Sequence, residues 1–110
     1  MSGFDAGINR LILTGTLVAE PRTRISPAGI SITRFTLEHQ SIQQEAGNDR
    51  KVECRIMVTA CGNVFQDRIG KGAAVEVEGF LSYESHQKME TRLILHALHI
   101  QELKYPDQED

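Results

Sequence analysis

The sequence predicts an all-β fold, a five-stranded barrel with one short helix between the third and fourth strands. Three observations lead there. Apolar residues recur with period two rather than the helical period of about 3.6, and clusters of Gly, Pro, Asn and Asp punctuate the apolar runs. A chain of 110 residues also leaves room for only one core, because two would each fall below the size that folds unaided.

The first strand carries Leu11, Leu13 and Leu17. Gly15 in its middle is a poor strand former and marks a bend. Glu20-Pro21 and Ser26-Pro27-Ala28-Gly29 are turn chemistry ahead of a second strand with Phe35 and Leu37. Residues 41–50 are polar and end in Ala46-Gly47-Asn48-Asp49, which reads as a projecting, mobile loop. The third strand places Val52, Cys54, Ile56, Val58 and Ala60 on one phase and Glu53, Arg55, Met57 and Thr59 on the other. Next, Asn63 offers a cap and Gly70 a stop for a short helix within residues 61–70, with Phe65 and Ile69 on one side. Gly70-Lys71-Gly72 is the turn into the fourth strand, where Val75, Val77, Leu81 and Tyr83 alternate with Glu76 and Glu78 and Gly79 marks a second bend. The fifth strand is the β-rich run from Leu93 to Ile100. Three strands, a helix and two strands is the order of the OB-fold, a partly open barrel. The folded domain is expected over residues 9–104, with a flexible tail at 1–8 and an acidic tail at 105–110.

Composition narrows the function classes. No run approaches the roughly 18 apolar residues of a membrane span, and residues 1–7 lack the basic and apolar regions of a secretory signal. A cytoplasmic chain with no membrane partner is the expectation. Twelve Lys and Arg face fifteen Asp and Glu, but Asp107, Glu109 and Asp110 follow Pro106, so the body is near neutral. That permits phosphate contact without making an electrostatic clamp. Cys54 and Cys61 are an odd number of residues apart on one strand and point to opposite faces, so they are not expected to pair.

No catalytic or cofactor constellation emerges, and the chain is not expected to be an enzyme. His96 and His99 are three apart in a strand, which predicts opposite faces and no shared metal. His39 and His86 have no Cys or acid at ligand spacing. Glu76 and Glu78 share a face opposite an apolar phase and read as solvated, and Gly70-Lys71-Gly72 is too short for a phosphate loop.

Basic residues are more informative. Arg22, Arg24, Arg34, Arg50, Lys51 and Arg55 fall on the first loop and on the second and third strands, the surface an OB-fold offers to oligonucleotides. Glu38, Glu45, Asp49 and Glu53 are interleaved with them.

Several segments resemble the primosomal replication protein N (PriB) family of single-stranded-DNA-binding OB-folds. They are Asn9-Arg10-Leu11-Ile12-Leu13-Thr14-Gly15-Thr16-Leu17, Ile25-Ser26-Pro27-Ala28-Gly29-Ile30, Phe35-Thr36-Leu37-Glu38-His39, Gln44-Glu45-Ala46-Gly47, Val77-Glu78-Gly79-Phe80-Leu81-Ser82 and Leu93-Ile94-Leu95-His96-Ala97. The resemblance implies a non-catalytic homodimer that binds single-stranded DNA and bridges a primosomal restart helicase to helicase-loading proteins. It maps DNA contacts onto Arg24, Arg50, Arg92 and the hairpin loop, and adds Lys88 in the loop before the last strand. The DNA-binding set is therefore Arg22, Arg24, Arg34, Arg50, Lys51, Arg55, Lys88 and Arg92. Asn48 and Glu53 stand where some relatives carry stacking aromatics, and Ser85 and Gln87 stand where lysines are usual. Weak DNA binding follows. The alternative, a protein-interaction module that has lost most DNA binding, is favoured by the neutral body and by Asn48 and Glu53.

Overall fold

In a computed structural model, which describes residues 7–85 and 91–104, six strands form one sheet. They are β1 (Leu11–Leu17), β2 (Arg22–Ile25), β3 (Ser31–Glu45), β4 (Asn48–Cys61), β5 (Ala74–Ser85) and β6 (Thr91–Glu102). Five of them close a ring in the order β1-β5-β6-β4-β3, which returns to β1 where Thr16 and Leu17 pair with Glu38 and Leu37. Every pairing is antiparallel except that of β4 with β6, where Met57, Val58, Thr59 and Ala60 run parallel to Ile94, Leu95, His96 and Ala97. This is the expected five-stranded barrel in OB-fold order. The expected tails fall outside the described residues, apart from residues 7 and 8.

Alternation fills the ring. Leu17, Phe35, Leu37, Val58, Ala60, Val75, Val77, Leu95, Ala97 and Ile100 point inward and are buried together. Their neighbours on the other phase form the outer wall, as the two-residue period of a strand requires.

Four features differ from the sequence expectation. The short helix does not form, and Gly62 stands at φ 67° near the start of the segment. Isolated turns replace it, with Val64 N donating to Cys61 O and Ile69 N to Gln66 O, since a single helical turn repays little of its nucleation cost. Phe65 and Ile69 still face the core as their spacing implied: Ile69 is buried, and the ring of Phe65 lies 5.7 Å from that of Phe35.

Secondly, the first loop contains β2, a short strand outside the ring that pairs with β3. Ser26 makes that hairpin, its amide donating to Ile30 O and its carbonyl accepting from Gly29 N, with Gly29 at φ 83°. Thirdly, residues 41–50 are almost wholly strand. The connection shrinks to Ala46 and Gly47, both at positive φ as a two-residue hairpin turn demands. The β3–β4 arm therefore projects from the barrel as a ribbon.

Finally, a bulge shifts the register of β5 against β6, so that Gly79 pairs with Ala97 but Glu78 pairs with His99. Leu98 is the extra residue, and it returns His96 and His99 to the same, outward face. Among the described residues no cluster of three or more metal-type ligands forms. Cys54 and Cys61 are both free thiols, exposed at the surface.

Two glycines let the ring close. A Cβ on Gly15 would lie 2.3 Å from the carbonyl oxygen of Glu38, and one on Gly79 would lie 1.8 Å from that of His96. Next to the first contact, His39 Nδ1 donates to Thr14 O at 2.7 Å, which fixes the tautomer, so Nε2 accepts from Ser41 Oγ. Gly79→Ala is expected to cost about 2–3 kcal/mol. At roughly 4–8 °C per kcal/mol for a domain of this size, the unfolding midpoint should fall by about 10 °C or more. A thermal melt followed by circular dichroism checks this, and an unchanged midpoint would rule out so close an approach of β5 and β6.

Candidate nucleic-acid interface

Register decides which charged side chains share a surface. Phe35, Leu37, Val58 and Leu95 point inward, so Arg34, Thr36, Glu38, Arg55, Met57, Thr59, Arg92, Ile94 and His96 lie on the outer phase by alternation, where Thr59 and Ile94 are nonetheless buried. Arg22 pairs with Arg34, and Arg24 with Ile32, which puts both β2 arginines on the same outer face. Lys51 shares the phase of Arg55 farther along the arm. The structure thus brings Arg22, Arg24, Arg34, Lys51, Arg55 and Arg92 to the outer surface of the adjacent strands β2, β3, β4 and β6. Arg50 lies on the other phase of β4 and leaves by the opposite face of the arm. Lys88 and Gln87 fall outside the described residues.

Three of these cations are held by carboxylates. Arg34 Nη2 donates to Glu84 Oε2 at 2.6 Å, Arg55 Nε to Glu38 Oε2 at 3.2 Å, and Arg50 lies 3.4 Å from Glu45. Arg22, Arg24, Lys51 and Arg92 make no ion pair with the described residues. Exposed pairs of this kind are worth roughly 0–1 kcal/mol and exchange partners readily, so Arg55 remains available to an incoming anion. Arg34 is the more constrained, since its pair reaches from β3 to β5 across the strands between them. Arg22, Arg24 and Arg34 together line a hollow of about 460 Å³ whose floor includes Phe35, Thr36 and Met57. Glu53 also lies on this face, exposed, and accepts a hydrogen bond from Gln40 Nε2 at 2.8 Å. It pairs with neither Arg55 nor Arg34.

The face also holds an aromatic pair that the charge pattern does not reveal. The ring of Phe80 stacks on His96 with centroids 4.8 Å apart and planes 7° apart, and His96 Nε2 meets Ser82 Oγ at 2.6 Å. Its sequence signal is that Phe80 follows Gly79 on the phase of Glu76 and Glu78, where an apolar residue has no place in the core. Nearby, Thr59 Oγ1 and Arg34 Nε are buried without hydrogen-bond partners. Thr59→Val is expected to stabilise the fold by about 1 kcal/mol, because it removes a buried hydroxyl that bonds to nothing. A denaturant titration reads the change, and a loss of similar size would mean that the hydroxyl has a partner.

Comparison with known proteins places this geometry. Residues 9–101 match the family described as "Another single-strand binding protein family". The replication restart protein PriB of Photorhabdus laumondii is 42% identical over 96 residues, covering 84% of this chain and 91% of that protein. PriB of Vibrio vulnificus is 42% identical over 92 residues, covering 81% and 92%. Among solved structures, PriB from Ralstonia solanacearum superposes with a TM-score of 0.74 at 29% identity, over 89% of this chain and 100% of that one. The wild-type single-stranded DNA binding protein from Thermus aquaticus gives a TM-score of 0.77 at 29% identity. That superposition covers 94% of this chain, which spans about half of the Thermus protein, 53%.

Proposed function

The chain belongs to the single-strand binding protein family, with PriB-type replication restart proteins among its relatives, and from that premise we propose that it binds single-stranded DNA in replication restart. It acts as a primosome accessory protein, by binding and without catalysis. The observation that carries the reading is the register that gathers Arg22, Arg24, Arg34, Lys51, Arg55 and Arg92 on one outer face. An arginine-rich face with separated cations suits a flexible polyphosphate, whose phosphates each find a local donor. Lys88 extends the set in this proposal. Binding is weak, because Glu38, Glu84 and Glu53 share the face. The further role is to join the restart helicase to helicase-loading proteins in the cytoplasm. A pull-down with that helicase, with and without forked DNA, tests it, and no retention in either case would remove this part.

We also propose a homodimer. β1 pairs with β5 along Leu11 to Thr16 but with β3 only at Thr16 and Leu17, which leaves a strand edge beside the exposed Ile12. A twofold copy would cover such an edge. Sedimentation at micromolar concentration should show a dimer, and a monomer alone would contradict it.

A second reading, a protein-interaction module that has lost most DNA binding, is favoured by the three arginines already paired with acids. Titration of a fluorescent oligothymidylate separates the two. The first reading expects binding at roughly 50 mM salt that weakens steeply by roughly 200 mM. Arg22→Ala, Arg24→Ala, Arg34→Ala and Arg92→Ala should each reduce affinity and lower the salt slope by about 0.7 per lost phosphate contact, whereas Arg50→Ala should change little. Absence of binding at the lower salt would leave the second reading.

Glu53 supplies a gain-of-binding test. Glu53→Trp is expected to tighten binding by about 1–2 kcal/mol, replacing a repelling charge with a stacking surface, and Glu53→Gln to recover the smaller electrostatic part. If neither binds better than the parent, the DNA path does not cross the arm at this point.

A further inference from the structure

Four successive pairings across the sheet link five residues in one row. Phe80 on β5 pairs with His96 on β6, His96 with Thr59 on β4, Thr59 with Arg34 on β3, and Arg34 with Arg22 on β2. All five are on the outer phase, and at about 4.8 Å per strand the row runs about 19 Å around the outside of the barrel. It begins with the stacked rings of Phe80 and His96, continues through the buried hydroxyl of Thr59 and ends in the guanidinium groups of Arg34 and Arg22.

Arg34 is already paired with Glu84, but other groups along the row lack partners that a nucleic acid strand would provide. His96 covers one face of the Phe80 ring, yet Phe80 retains 37% exposure. Phe35 and Phe65 pack against each other in the barrel, and Tyr83 lies on the inward phase of β5. Tyr83 is 74% exposed near the end of β5, but on the opposite phase, so Phe80 is the one Phe or Tyr among the described residues on the outer phase of the strands. Thr59 Oγ1 and Arg34 Nε can both donate hydrogen bonds and are buried without an acceptor, and because Arg34 is also held through Nη2 by Glu84 at 2.6 Å, a ligand reaches them by displacing that carboxylate. Phosphate and base oxygens are acceptors, and a base has a π-face that stacks on any aromatic ring.

We infer that the stacked Phe80–His96 pair is the base-stacking platform of this interface, and that Thr59 Oγ1 and Arg34 Nε donate to the nucleotide held beside it. The inference rests on the DNA-binding reading above and deepens it: the stacking that Asn48 and Glu53 do not offer on the arm is supplied at the other side of the same face. The strand then crosses the sheet along the row, with bases toward β5 and β6 and phosphates toward Arg34 and Arg22.

The chain contains no tryptophan, so Phe80→Trp places a single indole reporter on the platform. Its emission should be quenched on titration with oligothymidylate. Phe80→Ala and Phe80→Leu should each weaken binding about 5- to 150-fold, the range that loss of one stacked base implies, with the slope of log affinity against log salt unchanged because no phosphate contact is lost. The leucine variant keeps the apolar bulk, so melting curves separate loss of the ring from loss of the fold. Thr59→Val should weaken binding while raising the melting midpoint, opposite movements that a structural role does not produce. If the parent binds and the Phe80 variants bind equally well, with Phe80→Trp unquenched, the platform is overturned and the DNA-binding reading stands. If the parent does not bind at low salt, both fall.

Discussion

The structure depends on the close approach of two backbones at Gly15 and two more at Gly79. At each glycine a carbonyl oxygen occupies the space where a Cβ would be, Glu38 O at the first and His96 O at the second. Gly15 lets β1 approach β3 while it stays paired with β5, which closes the ring. Gly79 seats the bulge at Leu98, which bends β6 and resets its alternation. Both contacts act on function through parity, since a strand shifted by one residue turns every outward side chain inward. Without the bulge, Ile100 could not enter the core while His96 remains stacked on Phe80.

The outer face that results is mixed in charge rather than basic. Its cations come from four strands and its acids, Glu38, Glu53 and Glu84, sit among them, so a ligand must displace carboxylates as well as water. Such a surface gives affinity that is strongly salt-dependent and modest in size. Stacking is insensitive to salt and does not compete with the carboxylates, which is why one exposed aromatic on this face carries more weight than its area suggests. The projecting β3–β4 arm adds reach, with Lys51 and Glu53 of opposite sign along the same edge.

Much of the fold was legible because alternation is strong where burial is one-sided. Val52 to Ala60 and Val75 to Tyr83 announce their strands, and the order of the runs announces the barrel. The failures have local causes. Residues 61–70 carry both a cap and a stop, but Gly62 takes a left-handed conformation that no pattern displays, and the segment needs only turns to seat Phe65 and Ile69. The strand β2 escaped because Arg22, Thr23, Arg24 and Ile25 are all exposed, so no apolar period marks them. The spacing of His96 and His99 implies opposite faces because a bulge on β6 is read from its partner, Gly79, and not from β6 itself. The basic residues were visible as a set, whereas the separation of Arg50 from the rest required the register. Phe80 looked like ordinary strand until the outer phase was known.

The central claim is that barrel register builds one outer face that receives a single strand, and amide shift mapping tests it most directly. On titration of ¹⁵N-labelled protein with an oligothymidylate, the amides of Arg22, Arg34, Thr59, Phe80 and His96 should move together with one saturation curve. Those of Ile12, Thr14 and Glu76, on the wall formed by β1 and β5, should stay in place. Shifts centred on Ile12, Thr14 and Glu76, with Arg34, Thr59 and Phe80 unmoved, would contradict the account.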